Sequence, residues 1–185
     1  MAKAADYGLG PNTFPRGWFI VAESSELDEG PMAVRFFGRD LALYRGESGK
    51  PVMLDAYCAH MGTHLTASTS AMIVKYGQQI EGDSIRCPYH GRRYNAEGDV
   101  DDIPYSDGPC PKSASIGSYP VVDNMGCVMA WFDPDGRAPD YDPPFLPQWD
   151  DPQWVNWTLD HLGELNIHPQ EILDNMADVR HLGPT

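Results

Sequence analysis

The chain has 185 residues and a formal net charge of −14 at pH 7. This length suffices for one well-buried core, or for one domain and part of another. The acidity argues against nucleic acid and anionic membranes as partners, and no apolar run is long enough to span a bilayer. Because residues 1–15 contain no apolar segment typical of a signal peptide, we expect a cytoplasmic protein.

Short strands separated by turn residues dominate the first 133 residues. After an irregular arm at 1–16, the pattern predicts strands at 18–22, 33–37, 41–45, 52–54, 84–86, 119–122 and 127–132. The last two flank Asp123-Asn124-Met125-Gly126 and predict a hairpin. Segment 66–79 is predicted to form an inserted hairpin or loop, and segment 100–112 is predicted to form a loop. Together these elements predict a mainly β fold, an antiparallel β-sandwich.

The C-terminal part has a different composition. Residues 134–152 are rich in proline and acidic side chains and predict a linker, with Tyr141, Phe145 and Trp149 docking it on a neighbouring surface. Residues 154–167 predict a strand. Pro169 predicts the first turn of a helix that continues to about residue 182, where Gly183-Pro184 ends it.

Two stretches pair a cysteine with a histidine, namely Cys58-Ala59-His60 and Cys87-Pro88-Tyr89-His90. Two thiolates and two imidazoles suit a [2Fe-2S] cluster in which the cysteines hold one iron and the histidines hold the other. A cluster with these ligands is a Rieske centre. Imidazoles donate less charge than thiolates, so the histidine-bound iron accepts the electron more readily.

Zinc is the alternative cofactor for a set of cysteines and histidines. Zinc sites usually pair Cys with Cys and His with His, whereas both half-sites here are mixed, which disfavours a zinc-binding structural module. The two remaining cysteines, Cys110 and Cys127, are expected to be free thiols.

The half-sites resemble the lower-potential Rieske proteins, the ferredoxins and ring-hydroxylating oxygenases. In respiratory Rieske proteins the two half-sites have the forms C-T-H-L-G-C and C-P-C-H, and the additional cysteine of each half-site joins the other in a disulfide. In this chain Thr63 and Tyr89 occupy the positions of those two cysteines. We expect Tyr89 to pack over the cluster or to donate a hydrogen bond to sulfur. The family usually has about sixteen residues between the half-sites, and residues 61–86 make this gap longer.

The whole chain resembles the N-terminal portion of a Rieske non-haem iron oxygenase α subunit. That family opens its α+β catalytic domain with N-x2-D-x2-H-x4-H, which matches Asn175, Asp178 and His181. The resemblance implies that His181 is the first ligand of a mononuclear Fe(II) of the 2-His-1-carboxylate type. It implies that Asp178 bridges a cluster histidine of the neighbouring subunit to this iron, with Asn175 beside the site.

The resemblance also implies a domain plan. We expect an arm at 1–16, a Rieske [2Fe-2S] domain at 17–133, the linker at 134–152 and the first strand and helix of a truncated catalytic domain at 153–185. The family's next iron-binding histidine would follow Thr185, so we expect a fragment, a split gene product or a truncated chain.

Several motifs are similar to 3-ketosteroid 9α-hydroxylase oxygenase components and cholesterol 7-desaturases, among them Ile103-Pro104-Tyr105 and Glu171-Ile172-Leu173-Asp174-Asn175. Relatives carry a tryptophan two residues after the second cluster histidine, where this chain has Arg92. Docking of the electron donor is expected to differ for this reason.

The implied function is that of a terminal mono- or dioxygenase component. A ferredoxin or flavin reductase would deliver electrons from NAD(P)H, and the iron would activate O2 to hydroxylate or desaturate a steroid-like or aromatic small molecule. The full-length form would be a homotrimer. The alternative is a stand-alone Rieske ferredoxin that carries electrons only, which the helix with Asn175, Asp178 and His181 disfavours.

Overall fold

The computed structural model describes residues 4–8, 14–157, 163 and 165–182. The chain divides into two compact units, Arg16–Trp157 and the combined segments 1–15 and 158–185. Within the described ranges, no helix has the length and apolar character needed to cross a membrane.

Short strands build the larger unit. In chain order its elements are β1 (Gly17–Glu23), β2 (Met32–Phe36), β3 (Arg39–Arg45), β4 (Pro51–Asp55), α1 (Met72–Lys75), β5 (Ile80–Glu81), β6 (Ser84–Arg86), β7 (Arg93–Tyr94), β8 (Val100–Asp102), β9 (Ser118–Tyr119), β10 (Val121–Asn124) and β11 (Cys127–Phe132). Single 3-10 turns lie at Ser24–Glu29, Lys112–Ala114 and Pro147–Asp150.

The strands form three sheets with the orders β1-β11-β10, β2-β3-β4-β9 and β5-β6-β7-β8. Every pair of neighbouring strands is antiparallel. The predicted hairpin forms, with Val121 opposite Ala130 and Asn124 opposite Cys127. The prediction of a mainly β, antiparallel fold is therefore confirmed.

One hydrophobic core joins the second and third sheets. Strand β3 contributes Ala42 and Tyr44 to it, and the alternation of side chains along a strand turns Leu41 and Leu43 to the opposite face. All four are fully buried, so this strand is covered on both faces. The members of the core are Ala42, Tyr44, Val52, Leu54, Cys58, Leu65, Ile85, Cys87, Tyr94, Val100, Ile103 and Ala114. Both half-site cysteines are thus core residues.

Two loop predictions need correction. The segment 100–112 contains strand β8, in which Val100 is buried opposite Tyr94 and Asp101 forms an ion pair with Arg93 at 2.7 Å. The inserted segment forms one helical turn, α1, and no hairpin. The C-terminal end of the inserted segment is fixed because the buried Gln79 side chain donates a hydrogen bond to the Leu65 carbonyl oxygen.

Residues 134–157 lie along the β10–β11 hairpin. The Tyr141 ring packs edge-on against Trp131 with centroids 5.1 Å apart, and Trp149 lies against Gly126. The Trp157 indole N–H donates to the Met125 carbonyl at 3.2 Å. Two of the three aromatic residues predicted to dock this proline-rich segment therefore contact the hairpin. The predicted linker boundaries stay a prediction.

The smaller unit contains helix α2 (Pro169–Ala177), followed by a 3-10 turn at Val179–Leu182. The predicted continuation of the helix to about residue 182 is wrong, because Asp178 leaves the helical region with φ −81° and ψ 79°. Its carboxylate accepts the Arg180 N–H at 3.2 Å, a local bond that competes with helix propagation. The predicted strand at 154–167 falls partly on 158–162 and 164, outside the described residues, and 154–157 are not a strand.

At Gly98, the turn between β7 and β8 lies very close to the backbone of Ile116. It has φ +83°, and an added Cβ would lie 2.2 Å from the Ile116 carbonyl oxygen. We expect Gly98→Ala to lower the free energy of unfolding by about 2–4 kcal/mol, the sum of left-handed strain and a backbone clash.

Gly77→Ala is the matched control, since Gly77 has φ +66° but no atom within 4 Å of the added Cβ. It should cost only the strain, about 1 kcal/mol. Equal losses for both variants in denaturant unfolding would contradict the close approach.

Candidate metal centre

The two half-sites are loops with the same backbone geometry. In the first, Cys58 N–H donates to the Thr63 carbonyl at 2.9 Å and Gly62 N–H donates to the Cys58 carbonyl at 2.9 Å. In the second, Cys87 N–H donates to the Arg92 carbonyl at 2.7 Å and Gly91 N–H returns to Cys87 at 3.0 Å. Both glycines have positive φ, 69° and 74°, which closes each loop without a Cβ penalty. Because the same pair of backbone hydrogen bonds closes both loops, each loop is expected to present its thiol and its imidazole in the same orientation.

Strands hold the two loops from the same core. The first loop follows β4, and the second connects β6 to β7. Arg86, the last residue of β6, forms ion pairs of 2.6 Å with Glu81 and Asp102 and donates to the Gly91 carbonyl at 2.9 Å. The second loop is therefore tied to two neighbouring strands of its sheet.

The two thiols lie together at the inner end of the site. Cys58 and Cys87 are 3% and 2% exposed, and each thiol shifts the pKa of the other. The Cys87 thiol holds the pKa of Cys58 well below its usual range, and burial opposes this shift. In return, the Cys58 thiolate and burial raise the pKa of Cys87. A bound metal ion would replace the thiol protons and take both sulfurs as thiolate ligands.

Tyr94 joins the second loop to the first. Its buried hydroxyl accepts the Ala59 N–H at 3.0 Å and lies 3.1 Å from Cys58 Sγ. A thiolate can only accept, so the Tyr94 hydroxyl donates to sulfur whenever Cys58 is deprotonated. A buried hydroxyl without a partner costs roughly 1–3 kcal/mol, so these two bonds fix where the Tyr94 ring and the first loop meet.

The two imidazoles lie together at the outer end. The rings of His60 and His90 have centroids 4.9 Å apart, and His90 is exposed. Among the described residues, no group of three or more His, Cys, Asp or Glu side chains converges as a single-ion site. An inner pair of thiols and an outer pair of imidazoles supply one pair of ligands for each iron of a two-iron cluster.

Aromatic and basic side chains surround the imidazoles. The Tyr89 ring lies against His90 with centroids 3.7 Å apart and is 63% exposed. Tyr105 approaches His60, with its hydroxyl 3.4 Å from Nδ1. Arg92 donates from Nε to the Tyr105 hydroxyl at 2.8 Å. The outer end is thus an aromatic surface with one guanidinium at its edge.

His64 follows the first loop but belongs to neither pair. Its Nδ1 accepts the Thr66 N–H at 3.2 Å, and its ring packs edge-on against Tyr57. Burial lowers the pKa of His64. The imidazole stabilises the end of the loop.

Tyr89 is predicted to pack over the cluster or to donate to sulfur, and its ring lies against the half-site residue His90. The hydroxyl that lies against sulfur belongs to Tyr94, and Tyr89 packs on His90 at the surface. Tyr94 went unnoticed because its role depends on a contact with a residue 36 positions away. A tyrosine at an inward position of the strand that follows the second loop was the available signal.

Asn175, Asp178 and His181 belong to the smaller unit. Asn175 is exposed on α2, Asp178 ends that helix, and His181 lies in the 3-10 turn that follows. The position of the His181 side chain lies outside the described residues. The roles implied for these three residues therefore stay predictions.

The contact between Tyr94 and Cys58 predicts an order of thiol pKa values in metal-free protein. Removing Cys87, the largest influence, should raise the pKa of Cys58 most, and Tyr94→Phe should raise it by less. In a pH titration of thiolate absorbance, we expect the pKa of Cys58 to be highest in Cys87→Ala, lower in Tyr94→Phe and lowest in the wild type.

Tyr57→Phe is the control, because the Tyr57 hydroxyl donates to Asp40 at 2.8 Å, next to Cys58 in sequence, without a bond to sulfur. A Tyr57→Phe shift as large as that of Tyr94→Phe would show that the Tyr94 bond does not act on the thiol.

Comparison with known proteins agrees with this geometry. Residues 17–120 match the family described as Rieske [2Fe-2S] domain, and residues 130–185 match the 3-ketosteroid 9alpha-hydroxylase C-terminal domain. A probable 3-ketosteroid-9-alpha-monooxygenase oxygenase component from Rhodococcus rhodochrous is 32% identical over 182 residues, which cover 97% of this chain and 43% of the relative. Cholesterol 7-desaturase nvd from Bombyx mori is 37% identical over 176 residues, 93% of this chain and 35% of the relative.

A solved structure shares the fold. Dicamba monooxygenase superposes with a TM-score of 0.59 at 28% identity, over 74% of this chain and 40% of that one. The chain thus spans less than half the length of each of these relatives. Because the cluster-domain match alone covers more than half of the chain, this protein belongs to the Rieske [2Fe-2S] family, and it is similar to that family's oxygenase components.

Proposed function

We propose that this chain is part of the terminal oxygenase component of a Rieske non-haem iron oxygenase. The carrying observation is the division of the half-sites into a buried pair of thiols and an outer pair of imidazoles. The match of residues 130–185 to a 3-ketosteroid 9alpha-hydroxylase domain supports an oxygenase over a stand-alone ferredoxin, since an electron carrier has no use for that segment.

In this proposal Cys58 and Cys87 hold one iron of a [2Fe-2S] cluster, and His60 and His90 hold the other. Such a cluster, when bound, takes up and releases one electron at a time. The core excludes water from the thiolates, and the Tyr94 hydroxyl stabilises negative charge on Cys58 Sγ. The imidazoles lie at the surface, where electrons enter and leave.

The second metal ion of the proposal is a mononuclear Fe(II) with His181 as one ligand. Asp178 would connect a cluster histidine of a neighbouring subunit to that ion, with Asn175 beside it. The position of Asp178 at the end of α2, three residues before His181, is what supports this role. A homotrimer would bring each cluster to the next subunit's iron.

Substrate and electron donor follow from the relatives. The names of two of them, a 3-ketosteroid monooxygenase and a cholesterol 7-desaturase, support a steroid-like substrate. The term oxygenase component supports a separate donor, a ferredoxin or flavin reductase that draws on NAD(P)H. Hydroxylation and desaturation both consume O2, and the proposal places the reaction in the cytoplasm.

Iron and acid-labile sulfide per chain test the proposal directly. In protein purified from its source, we expect about three irons to two sulfides, which is a Rieske cluster plus a mononuclear site. A ratio of about two to two would support the ferredoxin alternative. Zinc without sulfide would overturn the assignment of the four ligands.

Asp178→Asn tests the proposed bridge in the protein as its gene encodes it. The variant should keep a reducible cluster with its wild-type spectrum, yet lose most turnover, because a neutral amide binds the N–H of a metal-bound imidazole less strongly than a carboxylate does. Single-turnover kinetics from the reduced cluster would separate the two effects.

Asp174→Asn is the matched control on the same helix, where the Asp174 carboxylate accepts from Gln170 at 2.8 Å. It should leave turnover close to wild type. Equal turnover in both variants would remove the bridging role from Asp178.

A further inference from the structure

Arg92 is placed by the backbone of the second loop. Its carbonyl accepts the Cys87 N–H at 2.7 Å, so the residue is fixed directly behind a half-site cysteine. From there the side chain extends to Tyr105, with Nε 2.8 Å from the hydroxyl and the guanidinium carbon 6.0 Å from the ring centroid. A hydrogen bond and a cation–π contact thus hold the same guanidinium.

Tyr105 in turn lies over the paired imidazoles. Its ring centroid is 6.0 Å from that of His60 and 6.4 Å from that of His90. The segment that carries Tyr105 is anchored by the buried Ile103, and a Cβ added at Gly91 would lie 3.2 Å from Pro104. Arg92, Tyr105 and the imidazoles are therefore held as one unit.

The charge of Arg92 is not neutralised by a carboxylate. Within residues 16–157, Arg92 forms no ion pair of 4 Å or less, although the protein carries a net charge of −14. Most arginines in that range have such a pair, namely Arg16, Arg35, Arg45, Arg86, Arg93 and Arg137. The guanidinium stays protonated in proteins. A permanent positive charge thus lies one tyrosine hydroxyl away from the His60 imidazole.

We propose that Arg92, positioned by Tyr105, raises the reduction potential of the [2Fe-2S] cluster. Reduction adds one negative charge to the cluster, and a nearby fixed cation stabilises the reduced form more than the oxidised form. The inference rests on the proposed function, because it requires that Cys58, His60, Cys87 and His90 hold the cluster.

The test is the midpoint potential of the loaded cluster, followed by its visible spectrum in a redox titration. Arg92→Gln removes the charge and should lower the potential. Arg92→Lys keeps the charge without the Nε bond and should give an intermediate value. Tyr105→Phe releases the guanidinium into solvent and should lower the potential by less than Arg92→Gln. Added salt should shrink the difference between wild type and Arg92→Gln, since exposed charges are screened.

Arg35→Gln is the control for net charge. Arg35 is 66% exposed on β2 and pairs with Asp40, and its loss should leave the potential unchanged.

Three results would overturn the inference: a wild-type potential in Arg92→Gln, the same potential in Arg92→Lys as in Arg92→Gln, or an equal shift in Arg35→Gln. If Arg92→Gln does not assemble the cluster, the comparison of Tyr105→Phe with wild type decides, and an unchanged potential there overturns the role of Tyr105. Wild-type protein without iron and sulfide would instead overturn the proposed function itself. The visible spectrum shows whether a cluster is present, so a missing cluster is distinguished from a cluster whose potential is unchanged.

Discussion

The hydrogen bond between the Tyr94 hydroxyl and Cys58 Sγ connects the parts of the site. Tyr94 belongs to the strand that follows the second loop, while Cys58 belongs to the first. The same hydroxyl accepts the Ala59 N–H, so the polar group is satisfied while it is fully enclosed by apolar side chains. This bond joins the first loop to the strand that follows the second loop, and it holds the Cys58 thiol in the shared core.

The same core also determines which end of the site is buried and which end is exposed. Thiols in the apolar interior lose water and approach each other, and the loops then direct the imidazoles outward. A cluster in this arrangement has one shielded end and one accessible end. Under the proposed function, electron exchange with another protein would take place at the end that carries His60, His90, Tyr89 and Tyr105, where Arg92 supplies a cation on an acidic protein.

Much of this arrangement could be predicted from the sequence. Alternating apolar residues in 41–45 and 127–132 indicated strands, and the mixed Cys–His half-sites indicated a two-iron cluster over zinc. These features are local in the chain. Strand β8 was missed because its acidic residues resemble a loop, and its pairing depends on ion pairs with Arg86 and Arg93. The end of α2 was missed because the helical periodicity continues through Asp178, where a side chain to backbone bond changes the backbone.

The central claim is that His60 and His90 bind the same iron, while Cys58 and Cys87 bind the other. Nitrogen hyperfine spectroscopy of the reduced cluster, in protein with 15N-labelled histidine, tests it most directly. Two coupled histidine nitrogens are predicted in the wild type, and one coupling should disappear when His90 is replaced by cysteine. Two unchanged couplings in that variant, or none in the wild type, would contradict the assignment of the ligands.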